Sequence, residues 1–378
     1  MVSQLPSLNR RQWLKSTVAG VAGLAVARQL LTTPARAQHE VDRTAKRSEP
    51  VRISGNENPF GPSQAAQAAM LQAMEKSCRY PFTEAKELTK LIAAKEGCSP
   101  DNIVLGVGSG EILDITGFHF GLQKGEIIAA EPGYTQLMRA AEAQGGKSVW
   151  VPLNKKLEHD LSAMATKITD KTSLVYICNP NNPSGTVVNA AELKAFAIET
   201  SKKTPVFIDE AYLDCADDYE SQTAVKLIAE GHNVVVARTF SKIYGMAGLR
   251  MGYGIMPAAL AKEVKPLSTG SVNMMGVVAA SASLQDATYV AETRAKIKAG
   301  RDALVAVIKG LGKEYAEPQG NFVFFKTGMP IKTFQEKMLA EMVQVARPFP
   351  PMLEWARVSI GLPEEMAVCH AALKKVLA

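Results

Sequence analysis

The chain has few of the residues that bind metal ions or cross-link small domains. Its 378 residues include five cysteines and five histidines. The cysteines are odd in number and scattered, so they form neither a metal-type cluster nor an evident disulfide framework. After residue 40 no apolar stretch is long enough to cross a bilayer, and there is no internal repeat. These absences argue against a metal-stabilised module, a disulfide scaffold, a repeat array and a membrane-spanning protein.

The remaining composition is that of a globular protein. Hydrophobic residues make up 47% of the chain, enough for a sizeable core. At this length we predict one large domain and a smaller one.

The first 37 residues differ from the rest of the chain. Asn9–Lys15 contains paired arginines, a weakly apolar run follows over Ser16–Leu31, and Ala35-Arg36-Ala37 forms a small-x-small cleavage pattern. This order resembles a twin-arginine export signal, which carries folded proteins to the periplasm. A short amphipathic helix with a chance arginine pair is the alternative. We therefore predict a signal peptide over 1–37, followed by a polar tether over 38–50.

Removal of this signal would change the charge of the protein. Residues 1–37 contain five basic side chains and no acidic one, so the formal net charge would fall from +6 to +1. The mature chain then has no basic block, and nothing in it indicates nucleic-acid binding. Export in the folded state suits an enzyme that must load a cytoplasmic cofactor first.

From about residue 100, short apolar strands alternate with helices, which is typical of βαβ units and a parallel sheet. Each predicted strand is followed by polar, glycine-rich or aromatic residues. Ligands of open α/β sheets bind outside the carboxyl ends of the strands, so we expect one site there. The predicted strands are 102–105, 127–130, 174–178, 206–208 and 234–237.

The chain becomes mainly helical after Lys265, with strand-like segments around 321–326 and 356–360. This mixture predicts a smaller α+β domain, completed by the N-terminal arm. The predicted divisions are an arm over 51–75, a large domain over 76–260 and a small domain over 261–378.

Lys242 is the most informative residue. It ends Thr239-Phe240-Ser241-Lys242 after a predicted strand, and Arg250 follows eight residues later. A lone Ser-Lys pair would indicate only a surface lysine. A lysine can, however, form a Schiff base with an aldehyde, an aspartate can keep a pyridine nitrogen protonated, and Ser, Thr and Arg can bind phosphate. Together with Asp209, the ordered set meets the separate needs of pyridoxal 5'-phosphate (PLP).

Gly108-Ser109-Gly110 precedes a predicted helix, whose first N–H groups can bind a phosphate. Alone, such a loop is often only a turn. With Thr239, Ser241 and Arg250 it predicts a phosphate-binding cup, in which the arginine supplies a fixed charge and two donors. Glu111, the next residue, is included among the predicted cofactor contacts.

The ring of the cofactor would be held by residues from three strand ends. Asp209 would pair with the pyridinium nitrogen, although an aspartate after a strand is also a common helix cap. Tyr212 and Asn182 would donate hydrogen bonds to the phenolic oxygen. Tyr134 would stack on the ring, with ordinary packing as the alternative.

The substrate contacts are predicted from an arginine in an apolar segment. Arg357 lies in Trp355–Gly361, where an unpaired charge would be costly, so an anionic substrate group is its expected partner. A solvent-facing arginine on an edge strand is the alternative. Arg347 is a second candidate anion contact, and Asn58 in the arm is a third candidate substrate contact.

The sequence resembles the fold-type I PLP enzymes of the class I/II aminotransferases, and within them the histidinol-phosphate aminotransferase branch. The resemblance spans roughly residues 50–370. The matching segments are Gly55–Pro59, Arg79–Pro81, Gly108–Glu111, Asn179–Thr186, Ile208–Tyr212, Ser241-Lys242 with Gly248–Arg250, and Arg357 with Gly361.

The resemblance implies an α/β fold with a mostly parallel sheet flanked by helices, plus a smaller α+β domain. It implies that Lys242 is the Schiff-base lysine and Asp209 the pyridinium partner. It also implies a homodimer in which Tyr80 reaches the phosphate of the neighbour's cofactor. The chain departs from the family at Pro132-Gly133-Tyr134, which lacks the usual hydroxyl residue, and in the proline-rich segment around Arg347.

These features predict an exported PLP-dependent aminotransferase that moves an amino group between an amino acid or related amine and a 2-oxo acid. A PLP-dependent lyase or decarboxylase on the same scaffold is the alternative, because Lys242 and Asp209 serve both chemistries. A non-enzymatic relative would be expected to have lost one of these two residues, and both are present.

Overall fold

The computed structural model describes residues 49–378. The predicted signal over 1–37 and most of the predicted tether lie outside the described residues. The strands of the described chain are β1 Val51–Arg52, β2 Ile103–Gly106, β3 Glu126–Glu131, β4 Lys147–Pro152, β5 Thr172–Cys178, β6 Val206–Asp209, β7 Val234–Thr239, β8 Gly252–Ile255, β9 Phe322–Lys326, β10 Val343–Gln344 and β11 Trp355–Ser359.

Seven strands form the central sheet, in the spatial order β2-β8-β7-β6-β5-β3-β4. Strand β8 runs antiparallel to both of its neighbours, and the other pairs are parallel. This arrangement confirms the predicted α/β fold with a mostly parallel sheet. The carboxyl ends of β3, β5, β6 and β7 therefore lie at the same edge.

Helices cover the sheet, and both of its faces are buried. Successive residues of a strand belong to different apolar clusters. In β5, Val175 belongs to one cluster and Leu174 to the other, and in β6 the same holds for Val206 and Phe207. This explains why the strands are continuous apolar runs without alternation. The helices are α1 Gln64–Ala73, α2 Phe82–Glu96, α3 Ser109–Leu122, α4 Gln136–Ala143, α5 Leu161–Thr166, α6 Ala190–Ser201, α7 Tyr219–Gln222, α8 Val225–Ala229, α9 Ala258–Val264, α10 Met274–Leu284, α11 Ala287–Gly310, α12 Ile331–Ala340 and α13 Pro363–Leu377.

A separate apolar cluster forms the core of the C-terminal part. It joins Val51 and Ile53 of the N-terminal arm to residues of β9, β11 and the last helices. The arm is fixed there because β1 pairs in parallel with β10. Helix α10, however, buries Val277 and Ala280 in the main core. The chain therefore passes from the main core to the C-terminal core within α11, and the predicted division lies after residue 260.

None of the described helices is both long enough and apolar enough to span a membrane.

A buried ion network ties together the elements next to the predicted site. Arg238 in β7 is 2% exposed, and its guanidinium lies 2.8 Å from Glu210 and 3.2 Å from Glu96. The Tyr253 hydroxyl donates a further hydrogen bond to Glu96. Glu210 follows Asp209 directly, and Arg238 precedes Thr239. The network therefore fixes the ends of β6 and β7, where the site residues begin.

We expect Arg238→Met to destabilise the protein by about 3–5 kcal/mol, because two buried carboxylates lose their counter-charge. Burial already raises the pKa of Glu210, and Arg238 opposes that rise. Without the arginine the folded-state pKa rises further. The deficit should therefore be full at neutral pH and shrink as acidification protonates the carboxyl group.

Urea unfolding at several pH values measures this deficit. Arg139→Met, on an exposed position of α4, is the matched control and should change the free energy of unfolding by less than about 0.5 kcal/mol. Equal losses in the two variants would contradict a stabilising role for the network.

Candidate active site

A cavity of about 720 Å³ lies at the carboxyl edge of the main sheet. Except for Tyr80 and Asn58, all of the predicted site residues line it. The predicted residues that it brings together are Ser109, Gly110, Glu111, Tyr134, Asn182, Asp209, Tyr212, Thr239, Ser241, Lys242, Arg250, Arg347 and Arg357.

One end of the cavity is built around the turn between β2 and α3. Helix α3 begins at Ser109, so its first N–H groups are free to meet an anion. Gly108 has φ 82, and a Cβ there would lie 2.5 Å from Nη2 of Arg250. Glycine thus allows the guanidinium to lie against the turn, where Nη2 donates to the Val107 carbonyl at 3.2 Å.

Two hydroxyl groups complete this end. The Thr239 hydroxyl lies 3.0 Å from that of Ser241, and Nη1 of Arg250 is 3.4 Å from the Ser241 oxygen. A guanidinium, two hydroxyls and a helix N-terminus therefore converge on one place. This donor set fits the phosphate group of PLP.

Glu111 does not contribute a free donor or acceptor to this cup. Its carboxylate accepts the backbone N–H groups of Val107 at 2.7 Å, Thr269 at 3.0 Å and Gly270 at 2.9 Å. An ionised carboxylate is an acceptor only and would repel a phosphate. The carboxylate of Glu111 thus binds backbone groups, and a contact of this residue with the cofactor stays a prediction.

Asp209, the last residue of β6, is 2% exposed. It accepts hydrogen bonds from the Ala211 N–H at 3.1 Å and the Tyr176 hydroxyl at 3.2 Å. Burial raises the pKa of Asp209 to about 6, more than these hydrogen bonds lower it. A protonated pyridine nitrogen in the cavity would supply the missing counter-charge, so this position also fits PLP.

Lys242 is half-buried and lines the cavity. Its Nζ lies 3.4 Å from the Gly55 carbonyl oxygen and 5.2 Å from the centre of the Tyr212 ring. Burial, and next the charge of Arg357, lower the pKa of Lys242 to about 8. The neutral amine, which is the form that attacks an aldehyde, is therefore more populated near neutral pH than that of an ordinary lysine.

Tyr212 links the lysine to the substrate side of the cavity. Its hydroxyl oxygen accepts hydrogen bonds from the amides of Asn182 and Asn56, each at 3.2 Å. Asn182 in turn accepts a hydrogen bond from Arg357. The structure thus brings the three predicted residues into one hydrogen-bonded chain and adds Asn56, which sequence reasoning missed.

Arg357 is a buried cation without an acidic partner among the described residues. Its guanidinium donates to Asn182 and the Ser54 carbonyl, and lies 4.8 Å from the ring centre of Phe349. Its Nε is buried without a hydrogen-bond partner in the described chain. Burial lowers the pKa of Arg357 to about 10. The solvent-facing alternative is therefore wrong, and an anionic ligand would provide the missing charge.

Arg347 is exposed and lies 4.6 Å from the same Phe349 ring. Tyr134 lines the cavity, and its hydroxyl donates to Gln136 at 2.8 Å. The Gln136 amide donates to Asp114 at 2.9 Å, which fixes the orientation of the glutamine. Nothing in the local sequence marks Gln136 or Asp114, because their roles depend on contacts between separate helices.

Asn58 lies outside the cavity lining, and its side chain serves the fold. Its amide nitrogen donates to the Ile243 carbonyl at 2.8 Å, and its oxygen accepts the Phe60 N–H at 3.0 Å. These bonds fasten the N-terminal arm beside Lys242. The predicted substrate contact of Asn58 therefore has no support in this arrangement.

Tyr80 also lies outside the cavity lining of its own chain. The side chain is 76% exposed and stacks on Phe82 with the ring centres 5.6 Å apart. Its predicted contact with a phosphate would require a second subunit.

Comparison with known proteins shows the family of the chain. A family model described as aminotransferase class I and II matches residues 48–373. The histidinol-phosphate aminotransferase of Moorella thermoacetica is 32% identical over 387 residues, covering 100% of each chain.

Two solved structures show the same similarity. The histidinol-phosphate aminotransferase of Sinorhizobium meliloti, crystallised with PLP, aligns with a TM-score of 0.78 and 27% identity over 86% of this chain and 90% of that one. The histidinol-phosphate aminotransferase of Clostridium acetobutylicum aligns with a TM-score of 0.78 and 25% identity, over 86% of this chain and 98% of that one.

The lowered pKa of Lys242 makes PLP uptake pH-dependent. We expect the rate at which the apoprotein takes up PLP to rise with pH through about 8, because only the neutral amine reacts. Arg357→Gln removes a neighbouring positive charge, so the midpoint should move to higher pH. Absorbance-detected mixing experiments across the pH range measure both midpoints.

Arg139→Gln, on the exposed surface of α4, is the control and should leave the midpoint unchanged. A midpoint that is the same with and without Arg357 would show that this arginine does not tune the lysine.

Proposed function

Because the chain belongs to the class I and II aminotransferase family and is a PLP-dependent enzyme, we propose that it moves an amino group from an anionic amine or amino acid to a 2-oxo acid through Lys242. The proposal rests on the convergence of Lys242, Asp209 and Arg357 in one cavity. When bound, PLP supplies an electron sink for negative charge at the α-carbon of the substrate. All other tasks fall to side chains of the chain itself.

Lys242 is proposed to act twice. Its neutral amine would hold the cofactor covalently, with release of water from the aldehyde. Once the substrate amine has taken its place, the freed amine would carry a proton between the substrate α-carbon and the C4′ carbon of the cofactor. A base with a pKa near the working pH suits this transfer, and the pKa of Lys242 is about 8. Its position beside Gly55 and Tyr212 keeps the amine inside the cavity.

Asp209 and Tyr212 are proposed to set the electronic state of the cofactor. Asp209 would keep the pyridine nitrogen protonated, which requires a buried, ionised carboxylate at that position. Tyr212, oriented by Asn182 and Asn56, would donate its hydroxyl proton in a hydrogen bond to the phenolic oxygen.

Arg357 is proposed to bind the anionic group of the substrate, with Arg347 as a second contact nearer to solvent. Both cations lie against Phe349. The relatives named above act on histidinol phosphate, whose phosphate group belongs to this anionic class. Because the chain departs from its family just before Tyr134 and around Arg347, we propose the class of substrate and not histidinol phosphate itself.

Aminotransfer predicts a single half-turnover with one substrate. A productive amino donor alone should convert bound PLP to pyridoxamine phosphate once per site, and a 2-oxo acid should then restore it. The reason is that transamination leaves nitrogen on the cofactor, whereas a lyase returns PLP unchanged. Absorbance and chromatography of the released cofactor follow both steps.

Arg357→Gln should slow this half-reaction about 10- to 100-fold, the value of a hydrogen bond to a charged group, with PLP still bound. Continuous turnover of one amine, with carbon dioxide or an eliminated group released and no pyridoxamine phosphate formed, would instead support the lyase alternative.

We further propose that the enzyme is a homodimer in which Tyr80 completes the phosphate cup of the neighbouring subunit. The support is a group of exposed apolar side chains close together in the sequence, from α1 to the first residue of α2: Leu71, Met74, Tyr80 and Phe82 are each more than half exposed. Such a patch favours a protein interface.

Tyr80→Phe should then weaken PLP binding by about 1.5–3 kcal/mol, the value of one hydrogen bond to a charged group. Titration of the apoprotein with PLP measures the change, and Tyr315→Phe, outside the site and the patch, is the matched control. An active monomer in sedimentation experiments would contradict the proposal.

We also propose that the protein is exported folded to the periplasm, on the basis of the paired arginines of the N-terminal segment. Arg10→Lys combined with Arg11→Lys should leave unprocessed, cofactor-loaded protein in the cytoplasm. Arg28→Lys, in the apolar run, is the control and should be processed normally. Cell fractionation that finds the double variant processed in the periplasm would overturn the twin-arginine route.

A further inference from the structure

The Glu111 carboxylate connects two separate parts of the cavity wall. It is 8% exposed and accepts three backbone N–H groups. One comes from Val107, in the phosphate-binding turn, at 2.7 Å. The other two come from Thr269 and Gly270 at 3.0 Å and 2.9 Å. The latter belong to the segment 268–273, which joins α9 to α10 over the surface.

Val107 is held from both sides. Its N–H donates to Glu111, and its carbonyl accepts a hydrogen bond from Nη2 of Arg250 at 3.2 Å. Glu111 and Arg250 therefore bind the two successive peptide groups on either side of the Val107 Cα, so the position of the guanidinium depends on a residue that Glu111 holds. Gly270 packs closely on the same residue, since a Cβ at Gly270 would lie 2.7 Å from a methyl carbon of Val107.

At Thr269 and Gly270 the backbone N–H groups of the segment bind Glu111. Further along, Asn273 donates to the Leu249 carbonyl at 2.8 Å and Val272 packs against the main core. Ser268, Thr269 and Gly270 are exposed, although Thr269 and Gly270 line the cavity. Exposed segments with few buried contacts open at low free-energy cost. The bonds from Thr269 and Gly270 to a buried charge oppose that opening. The adjoining residues Ser271 to Asn273 line a groove that also contains Tyr80.

We propose that Glu111 is a positioning residue that fastens segment 268–273 onto the phosphate-binding turn and thereby holds Arg250 ready for the phosphate of PLP. Its negative charge matters because a carboxylate has acceptor sites for all three N–H groups. Glutamine, of the same shape, has one acceptor oxygen and would turn its NH₂ group toward at least one of the donors. The proposal rests on the use of PLP by this site.

Glu111→Gln tests the proposal in two independent measurements. In the apoprotein, hydrogen exchange at the amides of Thr269 and Gly270 should become about tenfold faster or more, because charge-assisted hydrogen bonds are weakened. The dissociation constant of PLP should rise by about tenfold or more. With PLP saturating, the half-reaction rate should change by less than about threefold, since Lys242 and Asp209 are untouched. Glu87→Gln, on the exposed surface of α2, is the matched control and should change none of these quantities.

Gly270→Ala provides a second route to the same outcome. The added methyl group would press on Val107 and lift the segment while leaving the carboxylate intact. It should therefore also weaken PLP binding more than it slows the half-reaction. A folded Glu111→Gln protein with wild-type exchange at Thr269 and Gly270, or with a PLP dissociation constant within twofold of wild type, would overturn the proposal. Failure of the wild-type protein to bind PLP would contradict the proposed function instead, and the exchange result would still decide whether Glu111 fastens the segment.

Discussion

The site depends on two buried charged groups that form no ion pair with any of the residues that the structure describes. Asp209 and Arg357 are both less than a tenth exposed, and each has neutral groups as its hydrogen-bond partners. Burial raises the pKa of Asp209 to about 6 and lowers that of Arg357 to about 10. Both shifts show that the charged forms are destabilised by burial. A cofactor with a cationic ring nitrogen would stabilise the charged form of Asp209, and a substrate with an anionic group would stabilise that of Arg357.

Other buried charges next to the site are paired and stabilise the fold, which offsets the free-energy cost of burying Asp209 and Arg357. Arg238 is buried to the same degree as Asp209, yet it has two carboxylate partners and fixes the adjacent strand ends. At this edge of the sheet, the paired charge of Arg238 stabilises the fold, whereas the charges of Asp209 and Arg357, unpaired among the described residues, face the cavity. This contrast also explains why Lys242 reaches a pKa of about 8: its desolvation is reinforced by Arg357, a cation that has no acid beside it.

The sequence predicted site residues best where a short apolar strand is followed directly by polar residues. The predicted strands at 206–208 and 234–237 match β6 and β7, so Asp209, Thr239 and Ser241 were placed correctly at the sheet edge. Strands β4 and β8 were not predicted. Strand β4 is an edge strand with partly exposed residues, and β8 contains two glycines, which are rare in strand interiors.

Side-chain direction could not be predicted in the same way. Glu111 and Asn58 lie in segments that match the family, but their side chains bind backbone groups 158 and 185 residues away in the chain. Asn56 and Gln136 were missed because their partners lie on other elements. The sequence pattern does not show which residues far apart in the chain will meet. The end of a parallel strand is different, because the neighbouring strands of the sheet end at the same edge.

The central claim is that the half-buried amine of Lys242 bonds covalently to PLP. Borohydride reduction of the PLP-loaded protein, followed by mass spectrometry of its peptides, tests it most directly. We expect one pyridoxyl group per chain, on Lys242, and none after reduction of the Lys242→Ala variant. A pyridoxyl group on another lysine of the wild-type protein, or undiminished labelling of the variant, would contradict it.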